Sequence, residues 1–272
     1  MKVLPLALGL TLLAACASSN DQAPTTTGND ENLTSQDFDQ TVKDLTALPY
    51  LPWGFTPDGC YARALYYSME LATKDIPSNH LYVIAKSGTA LFGQWSWHVA
   101  PVVTKDGDPD HLYVLDPAFN TTKALTNLEW VALQGYADPD APKYPSLHVW
   151  PGNSYLKTMS AVNPLENPAS PVAADYKEPT PFSAMPSFAM VDIRSACETM
   201  HDYIDIEPGK TAAEKRQKHK DLGAASKSIV TKLVAKQKIS GNPGLLTASC
   251  TRETGESGTR TDLPAADPTR TR

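Results

Sequence analysis

One stretch restricts the fold of this chain more than any other: "FTPDGCYARALYYSME", Phe55 to Glu70, where a cysteine follows Pro-Asp-Gly and opens a helical run. Apolar residues recur at Ala62, Leu65, Tyr66, Met69 and Ala72, the spacing of one helix face. Asp58 is placed to be an N-cap, and Gly59 permits a close backbone approach. Cys60 then falls in the first turn, where unpaired N–H groups and the positive end of the helix dipole favour negative charge on sulfur. A structural cysteine gains nothing from that position, whereas a nucleophile does. A small residue that merely starts a helix is the plain alternative, and only the rest of the chain can decide.

Three segments rich in β-branched and aromatic residues follow: "HLYVIAKSG", "QWSWHVAPVVT" and "HLYVLDPAF". Each is bounded by Gly, Asp or Pro and reads as a strand. "KDGDPD" between the last two suits a hairpin connection. Alternation puts Ser96, His98 and Ala100 on one face of the second strand, with Trp95, Trp97 and Val99 on the other. His98 thus sits mid-strand. Asp116 closes the third strand, fixed by Pro117, and antiparallel pairing brings it beside His98. A catalytic cysteine needs a base and a group to orient that base. Cys60, His98 and Asp116 supply the three roles in the order found in papain and transglutaminase designs. The expected fold is α+β, with the Cys60 helix packed on an antiparallel sheet. Trp53, Tyr61 and Trp95 are candidates for lining a substrate cleft, and core packing fits each of them equally well. No Cys/His cluster has zinc-ligand spacing, so neither metal nor cofactor is expected.

The N-terminus reads as an export signal: Lys2, an apolar run from Val3 to Ala15, then small residues before Cys16. Leu13-Ala14-Ala15-Cys16 resembles the bacterial lipobox, which implies a signal peptide over 1–15 and lipid on Cys16. An ordinary signal peptide cleaved near the same place is the alternative. Residues 16–37 are polar and read as a flexible tether. Ala17 is not the aspartate that retains enteric lipoproteins at the inner membrane, so the expected location is the bacterial envelope, at the outer membrane. Exported chains keep disulfides. With Cys16 lipidated, Cys60, Cys197 and Cys250 remain; the helix-start argument leaves Cys60 free and pairs Cys197 with Cys250.

A catalytic domain over 38–250 is expected, with a short helix before the Pro-rich approach to Cys60 and another in "LTNLEWVAL". Prolines recur from Tyr136 to Pro186 and argue for irregular chain. "VDIRSACETMHDYI" and the lysine-rich segment from Lys210 to Ile239 read as helices, the second with a solvated face. Residues 251–272 lack apolar periodicity and read as a disordered tail. The net charge of −6 argues against general nucleic-acid binding.

"DGCYARA", "WHVAPVV" and "LYVLDPA" resemble the motifs of the bacterial protein-glutaminases, which deamidate glutamine side chains within proteins. The resemblance spans roughly residues 48–130. It implies a transglutaminase-like (papain-like) cysteine hydrolase core, glutamine-bearing protein or peptide substrates, and Cys60, His98 and Asp116 as nucleophile, base and orienter. An oxyanion donor is expected at the Cys60 backbone N–H, with the indole of Trp53 or Trp97 as a second. Competing readings are a transglutaminase, a papain-like peptidase and a non-catalytic lipoprotein binding protein or peptidoglycan. The lipobox and the C-terminal half depart from the family pattern.

Overall fold

The computed structural model describes residues 35–52, 59–92, 95–105, 108, 110–156, 182, 184–246 and 250. The expected signal peptide over 1–15, Cys16, Trp53, Asp58 and residues 251–272 fall outside the described residues. Helix α1 (Ser35–Thr46) starts earlier than the expected tether boundary at residue 37. It docks through buried Phe38 and Val42, and the Asp39 carboxylate accepts the Ala124 N–H at 2.8 Å.

Helix α2 (Cys60–Thr73) is the centre of the molecule. Its sequence suggests one apolar face, yet every residue from Cys60 to Met69 is buried. The sheet covers one side, and two later helices, α4 (Met190–Ile206) and α5 (Ala212–Ala235), cover the other. The Tyr66 hydroxyl meets Ser226 of α5 at 2.6 Å, which satisfies a polar group that has no access to water.

The sheet contains β1 (Asn79–Ile84), β2 (Trp97–Thr104), β3 (Leu112–Val114), β4 (Leu125–Thr126) and β5 (Ser146–Pro151). Their spatial order is β4-β3-β2-β1-β5, and every pairing is antiparallel. Strand period divides the core in two. Tyr82, Ile84, Val99 and Val103 join the α2 side, whereas Leu81, Val83, Ala100 and Val102 join Trp130 and Val131 of α3 (Asn127–Leu133). Helix α3 is set by a capping box between Thr126 and Glu129.

Strand β5 corrects the reading of 136–186 as irregular chain. Pro145 and Pro151 bracket it, and prolines are tolerated at the ends of an edge strand because one row of its backbone groups needs no ladder partner. Most lysines of α5 face solvent, with Lys218 an exception. It pairs with buried Glu207 at 2.8 Å and donates to the Leu51 carbonyl at 3.2 Å, holding the chain that leads toward Cys60. A disulfide links Cys197 of α4 to Cys250, with Cα atoms 5.8 Å apart.

Gly59 precedes α2 with φ 87°, and this residue, with no side-chain cap, is the helix N-cap. A Cβ there would sit 2.6 Å from the ring of Tyr203 on α4. Gly59→Ala therefore combines left-handed strain with overpacking, and should cost on the order of 2–4 kcal/mol. Denaturant midpoints of the two proteins measure this; equal midpoints would show the contact to be soft.

His80 is fully buried against the Ser68 hydroxyl at 3.0 Å. Burial pushes its pKa down to about 4, although the backbone of Ala64 and of Ser154, as acceptors for the ring, opposes the shift. An unfolded histidine titrates near 6.5, so between pH 6.5 and 4 the unfolded chain binds a proton that the folded chain does not. Stability falls as pH drops through that window, by about 3 kcal/mol from this group. His80→Gln should flatten the pH dependence of unfolding there, whatever its effect at pH 7. An unchanged slope would reassign the loss to other groups.

Candidate active site

Strand β3 pairs with β2 only from Val102 onward, so the first residues of β2 have no strand neighbour on that side. The turn after β3 occupies this space. Leu115 donates its N–H to the Pro101 carbonyl at 2.9 Å, bringing Asp116 alongside His98. His98 is the second residue of β2 rather than its middle.

His98 Nε2 and Asp116 Oδ2 are 2.8 Å apart, with both residues buried. The same oxygen accepts the Trp130 indole N–H at 2.9 Å, and Oδ1 accepts the Ala118 N–H at 3.1 Å. Three donors thus fix one carboxylate. Aromatic rings of Trp95, Phe119 and Trp130 surround the imidazole, with centroids 5.3, 5.4 and 5.4 Å away. The Cys60 side chain lines the same pocket as the His98 ring and favours its charged form. Because Nε2 is engaged by Asp116, Nδ1 is the atom left for the sulfur. Cys60, Arg63, Tyr67, His98 and Asp116 line one small pocket.

Burial alone would lower the His98 pKa. The Asp116 charge and hydrogen bond, followed by the interactions with Cys60, overcome it and raise the value to about 9. For Asp116 burial pulls upward, but the His98 charge and hydrogen bond, the Trp130 N–H and the Arg63 charge hold the carboxyl below its usual range. At neutral pH His98 is therefore an imidazolium paired with a carboxylate, ready to give a proton to a leaving group.

The structure brings Cys60, His98 and Asp116 together. It separates the aromatic candidates. Trp95 stacks on His98 instead of facing away, because β2 begins at Trp97 and residue 95 belongs to a bridge with Leu91, so strand alternation does not reach it. Tyr61 and Trp97 lie on the other side, in a ring cluster with Tyr82 and Tyr155, and neither lines the Cys60 pocket. Two contributors escape a sequence reading. Trp130 looks like any buried tryptophan of a short helix. Arg63, buried one turn after Cys60, carries a usable signal, since residues three apart share a helix face. Among the described residues no group of three or more His, Cys, Asp or Glu is placed to hold a metal ion.

A buried thiol, imidazole and carboxylate in series, on an α+β frame with an antiparallel sheet, is the arrangement that serves acyl transfer. Residues 35–134 match the glutaminase family model. Among solved structures, the NMR structure of protein-glutaminase from Chryseobacterium proteolyticum matches at 20% identity, covering 46% of this chain and 74% of that one, with a TM-score of 0.35. No curated protein matches the chain.

Proposed function

We propose that this chain is a cysteine-dependent protein glutaminase on a transglutaminase-like core, working without metal or cofactor on glutamine side chains of proteins and peptides. The observation that carries the reading is the free cysteine at the start of α2, in one pocket with an imidazole that is itself paired with a carboxylate. The Cys60 sulfur attacks the γ-carboxamide carbon while its proton resides on His98. The tetrahedral oxyanion develops at the helix start, beside the Cys60 N–H. His98 gives its proton to the amide nitrogen, the C–N bond breaks and ammonia departs, leaving a thioester. A water molecule, losing a proton to His98, then cleaves the thioester to glutamate and restores the thiol. Asp116 keeps the ring oriented and supports its charge throughout. Cys60 is 9% exposed, and a slender side chain reaches such an atom more readily than a peptide backbone does.

Ammonia release and intact mass, measured on glutamine-only and asparagine-only peptides, test the reading. Asparagine holds its carboxamide one methylene nearer the backbone, and a misplacement of about 1 Å costs on the order of 100-fold. Conversion of the glutamine peptide alone is expected. Equal rates on both peptides, or cleavage of the backbone, would refute the assignment.

The proposed setting is the outer membrane, with residues 1–15 removed, lipid on Cys16, a tether, and the catalytic domain over 38–250. The lipobox-like sequence before Cys16 supports this. Cys16→Ser should move the protein from the membrane to the soluble fraction. Unaltered fractionation with membranes would place the anchor elsewhere.

A further inference from the structure

Phe92 sits in the left-handed region, with φ 49°, and is 57% exposed. A bulky side chain costs roughly 1–3 kcal/mol in that conformation and persists only where its surroundings enforce it. Here they do. Leu91 and Trp95 exchange backbone hydrogen bonds of 2.7 and 2.9 Å, and the Phe92 N–H donates to the Gln134 carbonyl at 2.9 Å. The ring gains no burial from the strain. It stacks on Trp95 at 5.8 Å and meets the edge of Phe119 at 5.8 Å; these are two of the three rings that surround His98. Leu133, next to the residue that holds the Phe92 N–H, is 46% exposed.

From this continuity we infer that Phe92 and Leu133 form a specificity surface that receives an apolar side chain flanking the target glutamine. The inference rests on the proposed glutaminase reading. Two ring-to-ring steps of 5.8 and 5.3 Å separate Phe92 from His98. Extended chain covers about 3.3–3.6 Å per residue, so the occupant lies within roughly three residues of the glutamine. The backbone hydrogen bonds of Leu91, Phe92 and Trp95 hold the aromatic ring in place before substrate arrives, which reduces the ordering cost of binding.

The test compares kcat/KM for peptides with one glutamine flanked at each of three positions by Leu or by Ser. Wild type, Phe92→Ser and Phe92→Tyr are assayed. Wild type should prefer Leu about tenfold at one of these positions, within the range that hydrophobic pockets achieve. Phe92→Ser should collapse the preference through KM, leaving the limbs of the pH profile in place, and Phe92→Tyr should restore it. Equal losses on Leu and Ser peptides, or shifted pH limbs, would mean that Phe92 merely supports the His98 surroundings and would overturn the inference. So would a wild-type dimer in sedimentation that Phe92→Ser dissociates with the peptide preference intact. No ammonia from any peptide with wild type would instead defeat the underlying activity.

Discussion

Cys60→Ala is expected to lower the rate of ammonia release by roughly 10⁵–10⁶, the scale on which a nucleophile is lost from residues acting as a unit. The exchange replaces a buried thiol by a methyl group and should leave the thermal midpoint nearly unchanged, so loss of activity will not reflect loss of fold. Cys60→Ser should fail almost as completely. A serine hydroxyl needs a neutral base, and His98 retains its proton up to about pH 9. A thiol, far more acidic than a hydroxyl, can form a thiolate–imidazolium pair with this ring, whereas a hydroxyl beside it stays protonated at pH 7. Ammonia assays on both variants, beside melting curves, decide the matter. Activity within tenfold of wild type in Cys60→Ala would assign the chemistry to another group.

Asp116→Asn should reduce kcat/KM by roughly 10²–10⁴, because an amide no longer selects the ring orientation and tautomer. It should also change the shape of the pH profile. With the carboxylate gone, burial acts on His98 with less opposition, and its pKa falls from about 9. The imidazolium needed to protonate the leaving nitrogen is then lost at lower pH, so the alkaline limb moves acidward. A profile with reduced height and an unmoved alkaline limb would show that Asp116 positions the ring without setting its charge. Stability follows the same sign. The gain from the raised His98 pKa is complete below the unfolded value near 6.5 and disappears as pH rises through about 9.

The meeting of Cys60, His98 and Asp116 was legible in sequence because these are residue types with few bland uses in those places. A cysteine after Asp-Gly, a histidine amid β-branched residues and an aspartate before proline each restrict the options, and strand pairing then decides their proximity. The support around them was less readable. Trp130 contributes one N–H to Asp116, and nothing in "NLEWVAL" distinguishes a donor from a plain core residue. Trp95 was placed on the wrong face because alternation was carried two residues past the start of β2. Strand β5 was hidden by prolines that an interior strand would reject and an edge strand accepts. The burial of α2 on all sides was also concealed, since its covering helices lie more than a hundred residues away.

That covering bears on where the protein can be cut. The family match ends at residue 134, but the wall behind the start of α2 comes from Tyr203, and the partner of Tyr66 is Ser226. A fragment trimmed to the matched region would expose one flank of its central helix to water and leave Gly59 without the ring that packs on it. The Cys60 helix and the C-terminal half thus share one core, and swapping either between relatives means transplanting the seam along α2 as well.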